Sequence, residues 1–173
     1  MTIDPSDLPA AKRTLPGLYV TAKEAWYAWQ AATDEVVLID VRTPEEWMFV
    51  GHAPMAWKVP LATQSYQWDA VRQTYPMYPL PDFVARVRTF AEPRKRLMLM
   101  CRSGGRSAMA VDQLAGAGYE SVYQIVDGME GDTVDDPQSV FRGQRLRNGW
   151  KNSGCPWTYV LTPERVVLPA SPA

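Results

Sequence analysis

Three short apolar runs limit what this chain can fold into. Val36-Val37-Leu38-Ile39 and Leu97-Met98-Leu99-Met100 are unbroken, and Ser121 to Val126 forms a third run of strand length. A short continuous apolar run, without the polar alternation of a half-exposed strand, is the pattern of a parallel strand buried on both faces. Helical signals lie between the runs. Thr21-Ala22-Lys23-Glu24 has the form of a capping box, with Thr21 closing the first turn and Glu24 reaching back. It opens a helix to about Ala32 that carries Ala25, Trp26 and Trp29 on one apolar face. Thr43-Pro44-Glu45-Glu46 repeats the start signal with Pro44 at the first helical position, and that short helix must stop near Gly51. Asp82 is the expected cap of a helix from Phe83 to about Phe90 with Val84 and Val87 inward, and a further helix runs from about Arg106 to Ala115, closed by Gly116 or Gly118. Trp57-Lys58-Val59 reads as one more strand, ended by Pro60.

Strands alternating with helices across short connections imply an α/β fold: a parallel β-sheet flanked by helices on both faces. Such sheets bind ligands at the carboxyl ends of their strands, and Asp40, Cys101 and Asp127 all fall at that edge. The expected organisation is an N-terminal extension over 1–17, one domain over 18–132, and a C-terminal extension over 133–173. Residues 61–80, rich in Tyr, Trp and Pro, read as an irregular aromatic insertion. The C-terminal extension lacks periodicity, but Phe141, Trp150, Trp157 and Tyr159 give it too much apolar surface for a disordered tail. It is expected to pack on the domain, against the aromatic insertion.

Composition removes several function classes. A net charge of −1 supplies no field to draw in nucleic acid or anionic lipid, and Arg94-Lys95-Arg96 reads as solvated surface. No apolar stretch is long enough to span a bilayer, so no membrane partner is expected. The first residues lack the basic and then apolar layout of a secretory signal. The expected compartment is cytoplasmic if Met1 is the native start, or periplasmic if a signal peptide has been removed. Two cysteines, Cys101 and Cys155, make no metal-binding spacing, and His52 is the only histidine. No metal or cofactor is expected.

Cys101-Arg102-Ser103-Gly104-Gly105-Arg106-Ser107 joins a buried strand to a helix. Loop amides and the first helical turn present unpaired N–H groups, which with the helix dipole make an anion site. Arg102 and Arg106 add positive charge, and Gly104 and Gly105 are expected to let the backbone curl around the sulfur without a Cβ clash. Such surroundings favour thiolate over thiol.

Cys101-x-x-Gly104-x-Arg106-Ser107 resembles the active-site loop of rhodanese domains. The resemblance extends to Leu38-Ile39-Asp40-Val41-Arg42-x-x-x-Glu46, to Gly51-His52-x-Pro54 and to Val126-Asp127-Gly128, in the family's order, over about Leu18 to Asp132. Met55 departs from it, standing where the family often has a glycine. Phosphatases on the same fold resemble Cys-x5-Arg; here the spacing is Cys-x4-Arg, and the resemblance implies a pocket sized for a sulfur atom. It implies a sulfurtransferase in which Cys101 takes a sulfane sulfur from thiosulfate or a persulfide donor and passes it to a thiol acceptor. Arg102 would meet an anionic donor at the pocket mouth, and Arg106 would orient the loop and supply charge. Ser103 and Ser107 would add hydrogen bonds, with helix capping as the other role open to Ser107. Asp40, Arg42, Glu46 and His52 are supporting residues: Arg42 is expected to pair with Glu46, Asp40 to bond loop amides, and His52 to fix the turn before Pro54. Asp127-Gly128 would end its strand and turn the chain. Cys155 is either a passive cysteine or, if the tail folds over the site, a partner that resolves the persulfide into a disulfide. Three other readings stay open: a persulfide relay, a partner-binding module, and an oxyanion-processing phosphatase or arsenate reductase.

Overall fold

The computed structural model describes residues 3–170. Five parallel strands form the central sheet: β1 (Tyr19–Val20), β2 (Val36–Asp40), β3 (Trp57–Lys58), β6 (Arg96–Met100) and β7 (Val122–Ile125), in the order β1-β7-β6-β2-β3. Successive residues of β2 go to opposite faces. Ile39, with Leu97 and Leu99 of β6, packs under α3 (Phe83–Arg88) and α4 (Gly105–Gly116) through Phe83, Val87, Val111 and Leu114. Val36 and Leu38, with Met98 and Met100, pack under Ala22 and Ala25 of α1 (Ala22–Ala31) and against Trp150 and Cys155 of the tail. Burying both faces explains the unbroken apolar runs, since each buried Leu or Ile contributes about 1.5–3 kcal/mol. The fold is α/β with helices on both faces.

Both capping boxes form. Thr21 accepts from the Glu24 amide while Glu24 reaches back at the start of α1, and Thr43 and Glu46 do the same at the start of α2 (Pro44–Val50). Asp82 does not cap α3: it sits at φ +59° with no side-chain bond to the helix, so the turn before α3 is made by its backbone. Of the two glycines expected at the close of α4, Gly118 is the one that ends it. It adopts φ +92°, its amide donates to the Ala115 carbonyl, and the Tyr119 amide donates to that of Leu114, the backward pattern that a left-handed residue permits.

The segment expected to be irregular over 61–80 contains an antiparallel pair, β4 (Ala62–Gln64) and β5 (Met77–Pro79), with Tyr66, Trp68 and Tyr75 exposed in the connection between them. The N-terminal residues lie along α4, where the Leu15 amide donates to Asp112 and the Lys12 ammonium meets Asp132 at 2.7 Å. The tail runs back along the α1 side and β3. Trp150 is fully buried, Thr158 exchanges both backbone bonds with His52, and the Val167 amide donates to the Lys58 carbonyl. Among the described residues none of its hydrogen bonds reaches the β4–β5 hairpin, because Trp150 finds its apolar surroundings beside α1. No helix among the described residues is long and apolar enough to cross a membrane.

Candidate active site

Cys101 directly follows the last residue of β6, and the helix α4 begins four residues later. The turn between them is set by Gly104. Its φ of +112° lies outside the range open to residues with a side chain, and a Cβ there would stand 2.6 Å from the Val126 carbonyl oxygen. Gly105 differs from the sequence reading: it is the first residue of α4, and a Cβ on it would meet nothing nearer than the Ala11 carbonyl at 3.9 Å. One glycine, not two, is required by the curl of the loop.

Two donors converge on the sulfur. The Gly104 amide donates to Cys101 Sγ at 3.1 Å, and the Ser107 hydroxyl lies 3.6 Å from it. Ser107 is inside α4 and does not cap it; the residue at the cap position is Gly104. The far side of the loop is fastened by main chain. Met129 and Glu130 amides donate to the carbonyls of Cys101 and Arg102, an approach that needs Gly128, whose Cβ would come within 2.5 Å of the Cys101 oxygen. Asp127, buried after the end of β7, accepts from the amides of Ala22 and Gly149. Burial pushes its carboxyl up, and those amides offset only part of the rise.

The charged residues pair differently from the expected scheme. Glu46 does not meet Arg42. It forms a bidentate pair with Arg106, both N···O distances being 2.6 Å, and so ties α2 to the start of α4. Burial works against the Glu46 charge, but the hydrogen bond and charge of Arg106 prevail and hold its carboxyl below the ordinary value. Arg42 instead folds back on Asp40, Nη2 to Oδ2 at 2.7 Å, with both side chains fully buried, and also donates to the Gly51 carbonyl. Burial opposes the Arg42 charge, and Asp40 more than restores it. Asp40 accepts from the Arg42 amide, not from amides of the Cys101 loop. A sequence spacing of two residues on an extended chain gave no sign of this pair, because the partner choice is made where the chain bends at Arg42, past the end of β2. His52 is buried in backbone exchange with Thr158, its Nδ1 at 3.2 Å from the Ala53 carbonyl. Burial and the nearby Lys58 hold its imidazole below the ordinary value.

Cys101, only 2% exposed, forms the floor of a cleft of about 520 Å³. One wall is its own loop, from Arg102 and Ser103 to Gly105 and Arg106; the other is the hairpin, from Gln64 and from Thr74 to Met77. Asp40, Arg42, Glu46 and His52 are not among the lining residues. The hairpin wall was missed as part of the site; the dense run of aromatics and prolines over 61–80 was the signal. Cys155 packs against Ala22 in the core cluster on the opposite face of the sheet from that of Cys101, and both thiols are free. Burial pushes the Cys155 thiol up to about 11. Among the described residues no group of His, Cys, Asp and Glu is placed to hold a metal ion.

The sequence matches the family model "Rhodanese-like domain" over residues 23–133, which takes in every residue of the cleft. It is 37% identical over 90 residues to the chloroplastic thiosulfate sulfurtransferase 16 of Arabidopsis thaliana, covering 52% of this chain and 68% of that one. The crystal structure of Rv0390 from M. tuberculosis superposes with a TM-score of 0.60 at 29% identity, over 82% of this chain and 97% of the other. The polysulfide-sulfur transferase of Wolinella succinogenes gives a TM-score of 0.53 at 17% identity, over 86% and 82%, a likeness of fold.

Proposed function

The chain belongs to the rhodanese family, and from that membership we propose that it is a sulfurtransferase carrying a sulfane sulfur as a persulfide on Cys101. The observation that carries this reading is the setting of the sulfur. Cys101 Sγ faces a cleft and receives the Gly104 amide and the Ser107 hydroxyl, donors that favour a negative sulfur. The pairing of Arg106 supports sulfur transfer over phosphoester chemistry. Glu46 binds both terminal nitrogens of Arg106 and offsets its charge, which fastens the guanidinium to the loop and weakens it as a grip for a phosphate. Arg102, exposed at the cleft mouth, is the cation left to meet an anionic donor.

In the reaction the Cys101 thiolate attacks the outer sulfur of thiosulfate. A new S–S bond forms, the old one breaks, and sulfite leaves with the electron pair. An acceptor thiolate then attacks the outer sulfur of the persulfide and becomes a persulfide itself, returning Cys101 to thiolate. Double displacement of this kind gives ping-pong kinetics.

The test is intact mass before and after thiosulfate. The expected result is the gain of one sulfur atom, removed by cyanide or a thiol, absent in Cys101→Ser and kept in Cys155→Ser, whose cysteine lies in the other core cluster. Loading by a persulfide donor but not by thiosulfate would make the protein a relay. Loading by no sulfur donor at all would sink the sulfurtransferase reading.

A further inference from the structure

We propose that Gln124 is a positioning residue for the Cys101 sulfur: by occupying the Gly104 carbonyl it commits the Ser107 hydroxyl to Cys101 Sγ. The purpose of this arrangement rests on the sulfurtransferase reading; its geometry does not. Gln124 stands in β7 between β1 and β6, opposite Tyr19 and Leu99, and is fully buried. A long amide in the middle of a buried strand needs a reason, since valine or isoleucine would fill the place without polar atoms to satisfy.

The reason lies at Gly104. Its carbonyl oxygen has three potential donors: the Gln124 amide nitrogen at 2.7 Å, the Ala108 backbone N–H at 3.1 Å and the Ser107 hydroxyl at 3.0 Å. A carbonyl oxygen offers two lone pairs, and a serine hydroxyl has one proton. With Gln124 and Ala108 in place both lone pairs are taken, and the proton of Ser107 goes to its other acceptor, Cys101 Sγ at 3.6 Å. Without Gln124 the hydroxyl would fall back on the Gly104 carbonyl, the ordinary local bond of a serine within a helix, and the sulfur would keep only the Gly104 amide. The other end of the Gln124 side chain agrees with this account: Oε1 is buried with no hydrogen-bond partner. The donor end alone is used, and it is aimed at one atom of the catalytic loop.

The test is the pH dependence of Cys101 alkylation by iodoacetamide, read by mass on the Cys101 peptide, in wild type, Gln124→Met, Ser107→Ala and the double variant. It reports on the thiolate and requires no sulfur transfer, so it stands or falls apart from the mass test of the proposed function. Both single variants are expected to move the midpoint of the profile to higher pH by a similar amount, about one to two pH units, the size a lost hydrogen bond to a charged acceptor gives. The double variant is expected to move no further. A folded Gln124→Met protein with an unmoved midpoint would overturn the proposal, and so would shifts that add in the double variant. Should Gln124→Met not fold, a high-resolution crystal structure of the wild type decides. Ser107 Oγ directed at Sγ, with the Gln124 amide on the Gly104 oxygen, supports the proposal; Gln124 turned away and Ser107 on that oxygen refutes it.

Discussion

Replacing Gly104 by alanine, with Gly105→Ala as its neighbouring control, separates the geometry of the loop from its composition. At Gly104 the backbone sits at φ +112°, and the added methyl would stand 2.6 Å from the Val126 carbonyl oxygen. Backbone strain of this kind costs about 1–3 kcal/mol, and forcing a methyl against a fixed main-chain oxygen costs about 1–3 kcal/mol more. Relief would have to come from moving the end of β7 or the loop itself, because the atom in the way is backbone. At Gly105 the methyl meets only the Ala11 carbonyl at 3.9 Å, on a residue already helical. There alanine is neutral or stabilising by up to about 1 kcal/mol. In a chain of this size the Gly104 penalty lowers the melting temperature by roughly 4–24 °C. Differential scanning calorimetry of the three proteins reads the comparison, and persulfide loading is expected to fall only in Gly104→Ala. If Gly104→Ala melts within a degree or two of wild type and loads sulfur normally, the account of the loop given above is wrong.

Two further outcomes are expected. Glu46→Gln removes the partner of Arg106 and is expected to destabilise by about 1–3 kcal/mol at neutral pH, the pair being largely but not wholly buried. Because the folded carboxyl is held below its ordinary value of 4.5, its contribution is complete above that pH and is lost as pH falls through the lower, folded value. The gap between wild type and variant in urea unfolding should therefore close towards acid, and a gap that widened there would contradict the pairing. Lys58 is fully buried with its ammonium on the Ala56 carbonyl, and burial lowers it to about 8 from 10.5 despite the Asp40 charge. A base whose charged form is disfavoured by burial weighs against stability below the folded value, and the penalty disappears as pH rises from about 8 to 10.5. Lys58→Met should thus be more stable than wild type at pH 7 by up to about 3 kcal/mol, with the advantage shrinking in alkali; urea titrations at both pH values check it.

The parts legible in the sequence were those decided locally. Thr21 with Glu24, and Thr43 with Glu46, announce helix starts within four residues, and both capping boxes are formed. The unbroken runs of β2 and β6 carry their own evidence of burial on two faces. What stayed hidden depends on atoms far along the chain. Tyr19–Val20 is too short to show a period, and it is a strand only because β7 offers an edge. Glu46 finds Arg106 sixty residues later, since α4 delivers the guanidinium to α2 in space. Asp82 has the composition of a cap, but its backbone entered the left-handed region and took the carboxylate out of reach. The two glycines of the Cys101 loop look alike as letters; only the carbonyl of Val126 tells them apart.

The strand order has a consequence for how the chain comes into being. Tyr19 pairs with Gln124, roughly a hundred residues later, so at a synthesis rate of about 5–20 residues per second the first strand leaves the ribosome many seconds before its only neighbour exists. β2 and β6 can pair without it. β1 is therefore the last piece of the sheet to dock, and it docks beside the strand that holds Gln124. Lys12 then reaches Asp132 and Ala22 reaches Asp127, joining residues made before β2 to the segment that fastens the Cys101 loop. A nascent chain halted before β7 holds the cysteine but not its setting, and the loop acquires its final shape only when both ends of the domain have met.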